Sequence, residues 1–210
     1  MMTAAIALSL LSCDDLYDSP DTSSLIPNSE QRYEYINATS YFHWIYINLH
    51  SKTVEDTVTL DFYDTEHIPA SWDIALRHYD IKTNDAVVKE TEYRNLNDFK
   101  RDVENGAFRK PQPSEMIPDN LNDSVIYDMS TMLEGYVGYA PTRVNRELGK
   151  WLDLNLSTMP PIYTPSGRVY LLEMKDGTMA AIHFTGFSNP NIYNTKGYIS
   201  FEYLYPVNFR

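Results

Sequence analysis

The C-terminal portion of the chain constrains the fold most tightly. RVYLLEM (168–174) and MAAIHFTGF (179–187) flank Lys175-Asp176-Gly177. An Asp-Gly pair between two apolar runs marks a hairpin, because both turn positions tolerate positive φ. The following GYISFEYLYP alternates, with Ile199, Phe201, Tyr203 and Tyr205 on one face, which is the period of a half-buried strand. Three consecutive antiparallel strands are therefore predicted. Further strands are expected over 41–49, 57–63, 71–80 and 86–89, and helix only over 95–105 and in parts of 122–150. The fold class that follows is all-β, mostly antiparallel, with one or two short helices.

Composition narrows the partners. Lys+Arg 17 against Asp+Glu 29 leaves a net charge of −12, which repels phosphate backbones and argues against nucleic acid. With 43% hydrophobic residues and 17 tyrosines in 210 residues, the chain has enough apolar surface for one core without disulfide staples. No internal apolar run reaches the length of a membrane span.

The N-terminus reads as a targeting device. Residues 1–12 have the small, apolar texture of a signal peptide, and Leu10-Leu11-Ser12-Cys13 is similar to a bacterial lipobox. Cys13 is then the lipidation site, giving an outer-membrane, lipid-anchored protein. Residues 13–32, rich in Asp, Ser and Pro, are expected to form a flexible tether, and residues 33–210 the folded domain. Asp14, Asp15 and Asp18 resemble the surface-export signal of Bacteroidetes lipoproteins.

Catalytic motifs are wanting. There is no Gly-x-Ser-x-Gly elbow and no HExxH, and the five histidines form no close pair. The sequence does not read as an enzyme. Methionines stand out instead: Met129 and Met132 in YDMSTMLEGYVGYAP, and Met159 in the stiff loop NLSTMPPIY. A thioether is a soft neutral donor suited to Cu(I) or haem iron. Copper trafficking usually shows denser methionine clusters. Tyr136, Tyr139 and Tyr163 could wall a porphyrin. Against this, Met129, Met132 and Leu133 have the spacing of a helix face packed on a core.

SWDIALRHYDIKTN (71–84) closely resembles the Trp-Asp segment of the HmuY family, haem-binding lipoproteins of Bacteroidetes. KWLDLNLSTMPPIYTPSGRVYLL (150–172), the Asp-Gly hairpin and GYISFEYLYPV (197–207) agree in order. The resemblance implies an all-β fold that grips haem between projecting loops. It further implies a haemophore-like role: taking haem from host haemoproteins and passing it to a TonB-dependent outer-membrane receptor, on or shed from the cell surface. The family's bis-histidine site cannot be copied here. Leu156 occupies one of its positions, and no histidine occurs between residues 79 and 182. By resemblance to branches that use methionine, Met132 and Met159 become the axial ligands, with Met129 competing for the first place. Trp72 aligns with a tryptophan near the pocket, and Arg143, Arg146 and Lys150 are candidate propionate partners. The rival reading is a haem-independent surface β-sandwich, an adhesin or carbohydrate-binding accessory protein.

Overall fold

The computed structural model describes residues 31–59 and 68–209. The expected signal peptide, Cys13 and all but the end of the tether lie outside them. Fourteen strands are described: β1 (Arg32–Asn37), β2 (His43–Asn48), β3 (Thr53–Thr59), β4 (Ile74–Arg77), β5 (Asp80–Thr83), β6 (Val87–Glu90), β7 (Ile117–Pro118), β8 (Asn120–Asp128), β9 (Gly138–Val144), β10 (Leu152–Asn155), β11 (Ile162–Pro165), β12 (Val169–Glu173), β13 (Met179–Asn189) and β14 (Thr195–Leu204). One α-helix, α1 (Leu96–Glu104), lies between β6 and β7. All pairings are antiparallel. A six-stranded sheet runs β1-β14-β13-β12-β6-β7 and a four-stranded sheet β3-β2-β4-β5, while β8–β9 and β10–β11 are separate hairpins. The expected all-β class is what the chain adopts.

Side-chain alternation stacks these elements into layers. In β12, Tyr170 and Leu172 enter the main core while Val169 and Leu171 enter a second one beneath α1. That is why RVYLLEM is a continuous apolar run: both faces of its sheet are buried. α1 contributes Phe99 and Val103, four apart on one face, to the second core. Asn95 caps the helix by accepting from the Asp98 N–H at 2.8 Å. β2 alternates in the same way. Ile45 and Ile47 face the main core, whereas Trp44 and Tyr46 join Ala75, Val125 and Val144 in a third, small core. The β8–β9 hairpin thus forms an outer layer on the four-stranded sheet.

Three sequence expectations need correction. Residues 122–150 are mainly the β8–β9 hairpin, with single 3-10 turns at Met132–Glu134 and Leu148–Trp151. The i, i+3 spacing of Met129 and Met132 arises from a hairpin tip, so they form no helix face. The segment 71–80 is β4, a turn at His78-Tyr79 and the start of β5. The strand expected at 57–63 is β3, which begins earlier, at Thr53; residues 60–63 lie outside the described part.

His50 ties the two sheets together. Its Nδ1 lies 2.9 Å from Asp73 Oδ2 and its Nε2 3.0 Å from Asp176 Oδ2, in the β12–β13 turn. Asp73 also accepts from the Leu49 N–H at 2.6 Å. Burial disfavours the imidazolium, but hydrogen bonds and charge from Asp73 and Asp176 outweigh it, so the pKa is raised above 6.5. The linked stability is fully present below about pH 6.5 and is lost as pH rises through the raised value. We expect the stability difference between wild type and His50→Ala, at most about 1 kcal/mol for this partly exposed group, to shrink in urea titrations as pH rises from about 6 to about 8. A difference that grows with pH contradicts the assignment.

Candidate functional site

Two hairpins project from this layered body, and each carries a methionine at its tip. β8–β9 is paired from Asn120↔Val144 to Asp128↔Gly138. Its tip is held by its own backbone: the Met132 N–H donates to Met129 O (3.1 Å), Gly135 to Met132 O (3.0 Å) and Tyr136 to Thr131 O (3.2 Å). Asp128 Oδ1 accepts from the Ser130 N–H at 2.8 Å. Gly138 has no room for a side chain, since a Cβ there would lie 2.9 Å from the Tyr127 ring and the Asp128 Cβ. On this ordered tip Met129 is half-buried, Met132 is 45% exposed and Leu133 96% exposed. Tyr136 and Tyr139 are also exposed.

β10–β11 is paired from Leu152↔Pro165 to Asn155↔Ile162. Its root is Trp151, fully buried, with Nε1 donating to Tyr79 O at 3.1 Å and its ring 4.7 Å from that of Phe184. At the tip Asn155 Oδ1 accepts from the Ser157 N–H (3.0 Å) and hydroxyl (2.6 Å), and the Thr158 hydroxyl donates to Pro160 O (3.1 Å). Met159 is 91% exposed. It fills no hole. Tyr163, half-buried, packs its ring 5.1 Å from that of Phe187 on β13. The hairpin therefore lies along the end of β13 that leads into the β13–β14 turn.

At the β4–β5 turn, beside the root of β10–β11, sits an aromatic cluster that the sequence does not announce. Tyr41 stacks on His78 with ring centroids 4.3 Å apart, and His78 meets Tyr79 and Phe187 edge-on. His78 is buried and adopts φ 48 at the β4–β5 turn. Burial, then the Arg77 charge, pushes its pKa down to about 4, so the imidazole is neutral. The turn residues His and Tyr carry no Gly or Asn signature, and HYD read as the end of a strand. No group of three or more His, Cys, Asp or Glu placed to hold a metal exists among the described residues.

The remaining expected site residues are elsewhere. Trp72 and Arg143 line one pocket of about 320 Å³ with Lys82, Thr83 and Asp119. Arg143 is five residues on from Gly138, about 17 Å along the strand, and its Nη2 donates to Asp119 O at 3.0 Å. It stands at the root of the hairpin, opposite the end that bears Met132. Arg146 is exposed, and Lys150 pairs with Glu147 at 2.7 Å.

The HmuY protein family matches residues 40–203. This chain belongs to the HmuY family. Two crystal structures are similar to it at 35% identity or more. A Bacteroides fragilis protein assigned as a lipoprotein is 39% identical, with TM-score 0.73 over 87% of this chain and 94% of that one. A Bacteroides vulgatus protein assigned as HmuY-like and haem-binding is 35% identical, with TM-score 0.73 over 86% of this chain and 95% of that one. The apo HmuY analogue of Tannerella forsythia shares the fold at 21% identity, TM-score 0.61, over 82% of this chain and 95% of that one. No curated protein matches the chain.

The anchoring of β10–β11 through Trp151 is testable. Trp151→Ala should cost about 3–5 kcal/mol, the usual range for emptying a buried tryptophan site. It should also make the amides of 152–165 exchange with solvent faster than those of β12–β14. Uniform acceleration across both would show that the hairpin has no local anchor there.

Proposed function

We propose that this protein is a haem-binding surface lipoprotein that carries haem without transforming it, with Met132 and Met159 as the axial ligands of the iron. One contrast carries the reading. Met116, Met174 and Met179 are buried in the cores, whereas Met132 and Met159 stand exposed on the tips of two different hairpins. Leaving a methionine in water forgoes roughly 1.5–3 kcal/mol of burial, so exposure on ordered tips implies another use for the sulfur. Membership of the HmuY family and likeness to a protein assigned as haem-binding supply the ligand.

The donor set suits that ligand. Thioethers are neutral and soft, they stay unprotonated across ordinary pH, and they favour the electron-rich ferrous ion. Tyr136, four residues after Met132, Tyr163, four residues after Met159, and the exposed Leu133 and Leu156 provide apolar and aromatic surface for a flat macrocycle. Met129, half-buried three residues before Met132, is the alternative ligand on that tip. We assign Cys13 as the lipid attachment site. The proposed route takes haem from host haemoproteins to a TonB-dependent outer-membrane receptor.

Titration with haem, with and without dithionite, tests the assignment by visible spectroscopy. Ferrous haem should bind more tightly than ferric. Met132→Ala and Met159→Ala should each weaken ferrous binding by roughly 10–100-fold, and the double variant should lose the sharpened Soret band. Wild-type affinity and spectrum in the double variant would refute the ligand pair. Glycan binding without any haem response would favour the adhesin or carbohydrate-binding alternative.

A further inference from the structure

Lys82, on β5, is a cation with no counter-ion among the described side chains. Its Nζ donates to the Tyr46 hydroxyl at 2.7 Å and lies over three aromatic rings: Trp44 at 4.4 Å, Tyr46 at 4.7 Å and Trp72 at 5.5 Å. Among the described residues no carboxylate lies within ion-pair distance of it. Arg77, fully buried on the same sheet face, is 4.8 Å from the Trp44 ring and spends one nitrogen on Asp80 at 3.0 Å. Its Nε and Nη1 have no partner. Among the described side chains, this layer holds two cations against the single carboxylate of Asp80. Burying charge without compensation is costly.

The uncompensated side opens on the 320 Å³ pocket that Lys82 lines with Trp72, Asp119 and Arg143. Asp119 does not neutralise it directly. Its carboxylate is occupied by the Thr83 N–H (2.7 Å), the Thr83 hydroxyl (2.9 Å) and the Asn145 amide (2.9 Å). Asp85, also on the wall, pairs outward with Lys175 at 3.2 Å. Arg143 uses Nη2 on a backbone carbonyl and has no carboxylate partner among the described residues. An ammonium, a guanidinium and the Trp72 indole on one small pocket fit a particular chemistry.

We infer that this pocket is a second binding site, separate from the hairpin tips, for a small organic carboxylate with a flat apolar body. The carboxylate would sit between Lys82 and Arg143, whose planar fork suits two oxygens. The body would lie on Trp72. Binding is then sensitive to alkali. Burial, then the Arg77 charge, lowers the Lys82 pKa to about 8, against the Asp119 charge. The groups facing Lys82 are Arg77 on β4, Tyr46 on β2, Asp119 and Asp85 on the pocket wall, and Arg143 on β9. Of these Tyr46 is pushed up to about 12 by burial, so Lys82 is the group that discharges just above neutral pH.

Benzoate is the probe, with benzamide as its neutral isostere and inorganic phosphate as a compact anion, read by tryptophan fluorescence of the full chain. Benzoate should give a saturable change that benzamide does not. Affinity should fall by up to about tenfold between about pH 7 and about pH 9, as Lys82 loses its charge. Arg143→Gln, an exposed position, should weaken it by roughly tenfold, and Lys82→Met should remove both the binding and its pH dependence. Haem-saturated protein should bind benzoate unchanged. Equal responses to benzoate and benzamide overturn the anion site, and phosphate binding as tightly as benzoate overturns the carboxylate class. Competition by haem shows that the pocket belongs to the haem site and overturns its separateness. If Lys82→Met does not fold, wild-type affinity in Arg143→Gln with no pH dependence suffices to reject the proposal.

Discussion

The β8–β9 hairpin stays on the molecule because β2 has two useful faces. Ile45 and Ile47 are consumed by the main core, so Trp44 and Tyr46 necessarily point outward, where Val125 and Val144 cover them. Alternation with period two leaves no other choice once the inner face is fixed. The docking patch is small, with five buried members, and it lies at the hairpin's root and middle. Everything beyond it, including Met132, depends on ladder hydrogen bonds and the tip's own turns. A shift of one residue in β2 would exchange the two sets and cast off the hairpin.

The same patch is electrostatically unusual. Trp44 lies near both Arg77 and Lys82, and aromatic faces attract cations most when water is excluded. Asp80 answers only Arg77, and burial raises its own pKa despite that partner. Fully apolar side chains at these positions would hold the hairpin at least as well. The cations therefore add chemistry that stability alone does not require. Opposite, at the β4–β5 turn, neutral His78 is packed among rings without a partner for Nδ1.

Much of this was legible in the chain. The β12–β14 meander follows from Asp-Gly chemistry and strict alternation, and α1 falls within the helix expected over 95–105. The 122–150 region was harder, because methionine and leucine at i, i+3 and i+4 satisfy a helical template as well as a 3-10 turn on a hairpin tip. The β4–β5 turn was hidden because His78 supplies the positive φ that glycine or asparagine would have announced. β10–β11 was missed because prolines and polar residues dominate it, its order coming from Trp151 beneath. Exposure of Met132 and Met159 has no local signature. Sequence spacing could nominate them, but only the folded chain separates them from the three methionines that fill cores.

The two methionine-bearing hairpins are separate two-stranded sheets and share no ladder with each other or with the larger sheets. One is seated on the four-stranded sheet, the other rooted beside β13 through Trp151 and Tyr163. Neither hairpin's position is tied to the other by a strand pair, and neither is part of the six-stranded sheet. The geometry of the two tips relative to each other is therefore set by how each root is seated, while the rigidity of the body is set by the six-stranded sheet and its two cores.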